Sequence, residues 1–153
     1  TGERSGRLTT SKGSLMENSK DINWAFPDVD SGIEPLGGRV LVQLRRVKRT
    51  TASGIVLAGE TREFEKFNTQ VAKVVALGAL AFKKKDTLEP WPEGVWADVG
   101  SFVRVPKYGG DRFEVAITNE PEEPALFMLI NDHELIAKIK GDPLNSQHEY
   151  INR

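Results

Sequence analysis

The sequence predicts an all-β fold built from short strands. From residue 33 onward, short apolar runs are separated by turn-forming residues about every dozen positions, a spacing typical of an all-β barrel or sandwich. Apolar residues at the spacing of a helix face are nearly absent. The chain has 153 residues, of which 39% are apolar, and this is enough for one domain with additional segments.

Two strands are predicted in the first half of the chain. The first lies within Arg39–Val47 and follows a glycine pair, Gly37 and Gly38, that suits a turn. The second is the β-branched run Val71–Leu77. It ends at Gly78, where a chain reversal or close packing would favour a residue without a Cβ atom. Three apolar residues alternate onto one face of the first strand: Val40, Val42 and Leu44.

Two further pairs of strands are predicted in the second half. Ser101–Pro106 and Arg112–Ile117 flank a glycine-containing turn, so we expect them to form a hairpin. Leu126–Ile130 and Leu135–Ile139 are expected to form the last pair, around a polar turn that contains His133. For the final segment the pattern by itself leaves a strand and a short helix open.

Composition divides the chain into three parts. Residues 1–32 are mostly polar and cannot bury enough apolar surface to offset the entropy of ordering, so we expect an extended arm. Residues 33–141 form the β domain, and residues 142–153 form a tail. Two alternatives are open for Trp24 and Phe26, the aromatic residues of the arm: they anchor it on a partner, or they fold back onto their own domain.

Common catalytic and metal-binding signatures are absent from the sequence. The chain has no cysteine, which excludes disulfides, a thiolate nucleophile and cysteine-ligated zinc. It also has no phosphate-binding loop, nucleophile elbow or paired-histidine metal helix. Its two histidines, His133 and His148, lie in a polar turn and a polar tail. We therefore predict no metal site, no catalytic site and no enzyme.

Charge and hydropathy restrict the classes of partner. A formal net charge of -1 leaves no global basic field. The cationic run of Arg45, Arg46, Lys48 and Arg49 has no interleaved aromatic residues, so we interpret it as a solvated surface and expect no nucleic-acid binding. The longest uncharged apolar stretch, Val74–Phe82, is too short to span a membrane, and no secretory signal is visible. These features predict a cytoplasmic protein.

The first long connection, residues 48–70, carries an unusual apolar cluster. The tripeptide Ile55–Leu57 is entirely aliphatic and lies among small and polar residues. Burying these side chains on a partner would stabilise a complex by roughly 1.5–3 kcal/mol each, before the cost of ordering the segment. Several copies on a symmetric ring would bind firmly although one copy binds weakly. The pattern by itself slightly favours the alternative, a buried strand bounded by Gly54 and Gly59.

Five separated segments of the chain resemble the family of GroES-type co-chaperonins. They occur in the order that the family has and together cover about residues 33–141. The match at the end of the domain favours a strand over a helix for the final segment. The first three segments, Ile33–Val42, Thr51–Leu57 and Val71–Gly78, correspond to the opening, the mobile loop and the second strand with its closing glycine. The fourth is a strand entry with the turn after it, Val99–Val103 and Tyr108–Gly110, and the fifth is the closing segment, Met128–Ile139.

The resemblance implies a partly open β-barrel whose copies form a ring through antiparallel pairing of terminal strands. It implies no catalysis and no cofactor of its own, because ATP would be bound by the partner, a GroEL-type chaperonin. By the same resemblance, Gly54, Ile55, Val56 and Leu57 are the partner-binding residues, and the last three dock in the apolar groove of the chaperonin's apical domain.

The second long connection, residues 79–100, departs from the cellular members of the family. It contains Trp91 and Trp96, and Pro90 and Pro92 flank the first of these. The prolines fix φ and make this segment more rigid than the family's roof hairpin. Two interpretations are open for Trp91: it packs over the ring opening or inside the barrel, or it contacts another protein.

The arm, the tail and the tryptophan-rich connection together resemble the bacteriophage-encoded members of the family. Such proteins are thought to adapt a host chaperonin to a capsid protein. We therefore predict a co-chaperonin that caps a chaperonin ring and assists a client, with a capsid protein as the expected client. The alternative is a structural virion protein, such as a capsid decoration or connecting protein, that reuses the barrel and binds the major capsid protein.

Overall fold

The computed structural model describes residues 22–46 and 69–144. In these two ranges six strands form one antiparallel sheet that does not close. The strands are β1 (Arg39–Leu44), β2 (Val71–Leu77), β3 (Phe102–Arg104), β4 (Asp111–Ile117), β5 (Glu120–Asn131) and β6 (Ala137–Lys138). Their order in the sheet is β4-β5-β1-β2-β3-β6. The predicted all-β, partly open barrel is confirmed.

Strand β1 lies at the centre of the sheet and is buried on both faces. It pairs with β2 on one side and with β5 on the other, so that Val42 lies opposite Val74 and Met128. The predicted alternation is confirmed, because one face of β1 contributes Val40, Val42 and Leu44 to the main core. The opposite face contributes Leu41, which packs with Phe127 in a smaller apolar cluster.

Gly78 ends β2 where two backbone segments come into contact. Its N–H donates to the Arg39 carbonyl at 2.9 Å, and the Leu80 N–H donates to the Gly37 carbonyl at 2.9 Å. A Cβ atom on Gly78 would collide with the Gly37 carbonyl oxygen and would lie 2.9 Å from the Arg39 oxygen. The prediction that close packing favours glycine at this position is confirmed.

The hairpin predicted between Ser101–Pro106 and Arg112–Ile117 is wrong. Strand β3 pairs with β2 and β6, whereas β4 pairs with β5 and lies at the other edge of the sheet. The physical reason is that the apolar side chains of the two segments pack into different clusters. Val103 of β3 belongs to the main core, whereas Phe113 of β4 packs with Phe127 in the smaller cluster.

The predicted pairing of Leu126–Ile130 with Leu135–Ile139 is also wrong. The first segment is part of β5 and pairs with β1 and β4, and the second contributes β6, which pairs with β3. A 3₁₀ turn, Asp132–Glu134, separates them, which agrees with the predicted polar turn. The assignment of the final segment to strand rather than helix is confirmed at Ala137–Lys138. Within the described ranges, no helix has the length and apolar character needed to cross a membrane.

Candidate partner-binding site

The predicted partner-binding residues Gly54, Ile55, Val56 and Leu57 lie outside the described residues. The structure does define where their connection starts and ends. The Arg45 N–H donates to the Val71 carbonyl at 3.0 Å, so both ends of the connection lie side by side on neighbouring strands. We call residues 45–46 and 69–70 the loop base.

Arg46 forms the first half of the loop base and is buried, with a side chain that is 3% exposed. Its Nη1 pairs with Glu120 Oε1 at 2.7 Å and also donates to the Glu123 carbonyl. Its Nε donates to the Trp24 carbonyl at 2.7 Å, and its guanidinium carbon lies 4.3 Å from the centroid of the Trp24 ring. The interpretation of this position as part of a solvated cationic surface is therefore wrong. A cation this deeply buried needs several partners, which distant parts of the chain supply.

The second half of the loop base, residues 69–70, is held by hydrogen bonds from Arg112 and by hydrogen bonds between Gln70 and Val105. Nη2 of Arg112 donates to the Thr69 carbonyl at 3.3 Å and to the Pro106 carbonyl at 2.9 Å. Burial lowers the pKa of Arg112, an unfavourable effect on the charge that these carbonyl contacts oppose. Gln70 and Val105 exchange two bonds, from the Val105 N–H at 2.8 Å and from the Gln70 side chain at 3.2 Å.

Trp24 and Phe26, the candidate arm anchor, lie against their own domain. Phe26 is 4% exposed, and its ring centroid is 5.2 Å from that of Phe102. It packs with Ala25 and Val71 in a second small cluster, which Trp24 and Leu144 cover. Of the two alternatives, the structure has the one in which the pair folds back. No aromatic signal in the sequence distinguished the two, because both need the same apolar side chains.

Trp91 and Trp96 form an aromatic group with Phe82 above the main core. The two indole rings are 4.8 Å apart between centroids, and Trp91 meets the buried Phe82 edge to face at 5.5 Å. Trp96 Nε1 donates to Glu93 Oε1 at 2.8 Å. Packing on the barrel is thus the arrangement that the structure has for Trp91. Contact of either tryptophan with another protein stays a prediction.

The buried carboxylate of Asp132 fastens the second long connection to the end of β5. One of its oxygens accepts from the Phe82 N–H at 2.9 Å and from the Lys85 ammonium at 3.0 Å. The other accepts from the His133 N–H at 2.7 Å. The local sequence does not predict the burial of Asp132, because a carboxylate in a polar turn gives no local sign of burial.

Comparison with known proteins matches the barrel to a single protein family. Residues 32–139 match the family model described as Chaperonin 10 Kd subunit. A protein named co-chaperonin GroES from Clostridium botulinum is 32% identical over 111 residues, which cover 71% of this chain and 98% of that protein. The chain belongs to the GroES co-chaperonin family. A second co-chaperonin GroES, from Acetivibrio thermocellus, is 50% identical over 46 residues, which span 30% of this chain and 45% of that protein.

The family match divides this GroES-family protein into a shared part and its own additions. The matched range contains the whole sheet and both halves of the loop base. Residues 22–31 and 140–144 lie outside the matched range, and they supply Trp24, Ala25, Phe26 and Leu144 to the small cluster that packs on Val71. The buried Arg46 therefore joins the family barrel to segments that the family model does not include.

At the edge of the sheet, this family member has an open groove of about 470 Å³ beside β6. Val95, Trp96 and Ile136 give the groove an apolar lining, and Glu93 and Lys138 lie at it as charged residues. Ile136 as a whole residue is 57% exposed. Among the described residues β6 is the last strand at this edge, and an edge strand beside exposed apolar side chains is a surface on which a further strand can pair.

Loss of the Asp132 carboxylate is expected to destabilise this GroES-family domain in a pH-dependent way. Burial alone would raise the pKa of Asp132, but the two backbone amides and the Lys85 ammonium outweigh burial and hold the pKa below its ordinary value. The folded state therefore binds the proton more weakly than the unfolded state. The stabilisation is complete above about pH 5, where an aspartate is ionised in the folded and the unfolded state, and is lost as the pH falls through the lowered native pKa.

Urea unfolding of wild type and Asp132→Asn between pH 3 and pH 7 measures this effect. We expect the variant to be about 1.5–3 kcal/mol less stable at pH 7, as for hydrogen bonds to a charged group, and the difference to shrink toward pH 3. Asp98→Asn replaces an exposed aspartate near the same connection and is the matched control. A stability difference for Asp132→Asn that does not change with pH would contradict the assignment.

Proposed function

We propose that this protein caps a chaperonin ring as a co-chaperonin and that Ile55–Leu57 are the residues that bind the chaperonin. The observation that carries the proposal is the family match over residues 32–139, which includes the loop base and both ends of the connection that contains the tripeptide. The adjacent, hydrogen-bonded ends of the connection support it, because the residues that flank positions 47–68 lie at one place on the barrel.

In this mechanism the protein contributes binding energy and ATP hydrolysis belongs to the chaperonin. Each tripeptide buries apolar surface on the partner, and the ordering of the connection offsets part of this gain. One subunit therefore binds weakly. Subunits joined in a ring present several tripeptides at a high effective concentration, so the ring binds firmly and still dissociates when the chaperonin changes shape. No catalytic group and no cofactor of its own is required.

We propose that the groove beside β6 is where neighbouring subunits join into the ring. The residues before β1 supply apolar side chains of the same kind, since Ile33 is 44% and Leu36 is 72% exposed. A strand from a neighbouring subunit would pair with the backbone of β6, the edge strand of the described sheet, and apolar side chains from the segment before β1 would fill the groove. Ring formation of this kind would cover the groove of one subunit and the exposed apolar residues before β1 of its neighbour in the same interface.

Ile136→Asp is expected to dissociate the ring into smaller species. The substitution places a charge in the apolar groove, where burial by a neighbour would leave it unpaired. Tyr108→Asp is the matched control, because Tyr108 is 66% exposed in the turn between β3 and β4 and does not line the groove. Native mass spectrometry gives the subunit number of each variant. Intact rings for Ile136→Asp, or equal dissociation of both variants, would contradict the proposed interface.

We propose the cytoplasm of the host cell as the place of action and a bacteriophage capsid protein as the client. The support is the resemblance of the arm, the tail and the tryptophan-rich connection to phage-encoded members of the family. The alternative role in the virion has no observation in residues 22–46 and 69–144 in its favour. Mass spectrometry of purified particles tests it, because stoichiometric copies of the protein in mature particles would favour the virion role.

Electron microscopy of the purified protein mixed with a bacterial GroEL-type chaperonin tests the capping function. We expect rings of the protein alone, and capped chaperonin particles only when nucleotide is present. Gel filtration of the same mixtures is expected to show co-migration that depends on nucleotide. Failure to associate with the chaperonin in every nucleotide state would rule the proposal out.

A further inference from the structure

The helical turn of the arm ends in carbonyl groups that Arg46 satisfies. Residues 22–25 are helical, and the Phe26 N–H donates to the Ile22 carbonyl at 2.8 Å. The last carbonyls of a helix have no partner within it, so they need donors from elsewhere when the end is buried. Here the Arg46 N–H donates to the Ala25 carbonyl at 2.9 Å, and Arg46 Nε donates to the Trp24 carbonyl. The C-terminal end of this helical turn is thus capped by Arg46, the last described residue before the connection.

Strand β1 and its continuation bury two polar side chains, and both donate to the arm. Gln43 is 4% exposed, and its Nε2 donates to the Pro27 carbonyl at 2.7 Å. Arg46 is the second, as described above. Buried polar side chains are costly unless they are hydrogen-bonded, and the docked arm supplies a backbone carbonyl as acceptor to each of these two side chains. The sequence of β1 is therefore matched to a docked arm.

The tail is held at the neighbouring position. Nη1 of Arg45 donates to the Pro143 carbonyl at 3.2 Å, and Leu144 packs on the same small cluster as Phe26 and Phe102. The two consecutive arginines directly after β1 thus contact the first and the last described segments of the chain. Glu120, at the start of β5, completes the arrangement through its ion pair with Arg46.

We propose that the docked arm and tail are positioning elements for chaperonin binding, with Arg45 and Arg46 as the residues through which they act. This inference rests on the proposed function. Docking fixes residues 45–46 to the barrel, so the number of residues that must be ordered on binding is smaller. Each residue released from the barrel would add an ordering cost that corresponds to a factor of about 5–30 in the binding constant. The arm acts through the loop base and need not touch the chaperonin.

Trp24→Leu, compared with Phe113→Leu, tests the inference in the full-length protein. Both substitutions shorten a half-buried aromatic side chain, but only Trp24 stacks on Arg46, whereas Phe113 stacks on Phe127 at 5.6 Å between ring centroids. We expect Trp24→Leu to weaken nucleotide-dependent binding to a GroEL-type chaperonin by about fivefold or more, and Phe113→Leu by less than about twofold. Arg46→Lys, which keeps the charge but loses the forked geometry, is expected to weaken binding as Trp24→Leu does.

Amide hydrogen exchange of the same variants provides a second readout that does not need the chaperonin. The amide of Arg46 is expected to exchange faster in Trp24→Leu than in Phe113→Leu, while the amides within β2 are unchanged in both. Equal loss of binding in the two variants, or no loss in Trp24→Leu, would overturn the inference. If the wild type does not bind the chaperonin, the proposed function fails and exchange alone decides: equal protection of Arg46 in both variants then overturns the docking role.

Discussion

Ile55→Asp or Leu57→Asp is expected to abolish ATP-dependent co-migration of this protein with a chaperonin while leaving its ring intact. Each substitution removes an aliphatic side chain worth roughly 1.5–3 kcal/mol of burial and places a carboxylate in an apolar groove. Every subunit of the ring carries the change, so the losses are multiplied across the ring. The expected effect is complete loss of the complex at concentrations where the wild type is fully bound.

Thr61→Asp is the matched control, because it adds the same charge to the same connection outside the tripeptide. Gel filtration with and without nucleotide measures association, and native mass spectrometry checks the ring. Retained binding of the Ile55 and Leu57 variants would contradict the assignment of the tripeptide. If these residues instead form a buried strand, the variants would show a large drop in melting temperature, which thermal unfolding detects.

Gly78→Ala is expected to cause the largest loss of stability of any single methyl addition considered in this protein. The new Cβ would collide with the Gly37 carbonyl oxygen and would lie 2.9 Å from the Arg39 oxygen. Both oxygens accept backbone hydrogen bonds at 2.9 Å, so neither can move without weakening the contact between β1 and the chain after β2. We expect a loss of about 3 kcal/mol or more, a large part of the stability of a single domain.

Gly141→Ala is the matched control for this prediction. An added Cβ on Gly141 has no atom within 4 Å, so the change is expected to be close to neutral. Thermal unfolding of both variants measures the difference, and a loss of about 3 kcal/mol corresponds to a decrease of roughly 10 °C in melting temperature. Similar melting temperatures for the two variants would show that the close approach at Gly78 is not maintained in solution.

The local sequence predicts best the strands in which the intrinsic strand propensity of the residues agrees with their burial in the sheet. The range of β2 was predicted as observed, and β1 ends at Leu44 within the predicted Arg39–Val47. Both strands are apolar, β-branched and central in the sheet, so propensity and burial agree. The start of β5 was not predicted, because Glu120–Pro124 is acidic and contains two prolines, which usually argue against a strand.

The partner-binding assignment depends on the family resemblance more than on any local pattern. The pattern of the tripeptide Ile55–Leu57 by itself slightly favours a buried strand over a docking segment, and these residues lie outside the described ranges. The local pattern could not predict the loop base of the candidate site. Nothing in the run Arg45–Arg49 distinguishes the buried Arg46 from its charged neighbours, because its partners are Trp24 and Glu120, far away in the chain.

The sequence by itself determined the all-β class, the central strands, the need for glycine at Gly78 and membership of the GroES co-chaperonin family. These depend on residue type, on alternation and on short motifs, all of which are local. The tertiary structure alone decided which strands pair, where the arm docks and which charges are buried. These depend on contacts between residues such as Arg46 and Trp24, which become neighbours only when the sheet has brought distant segments together.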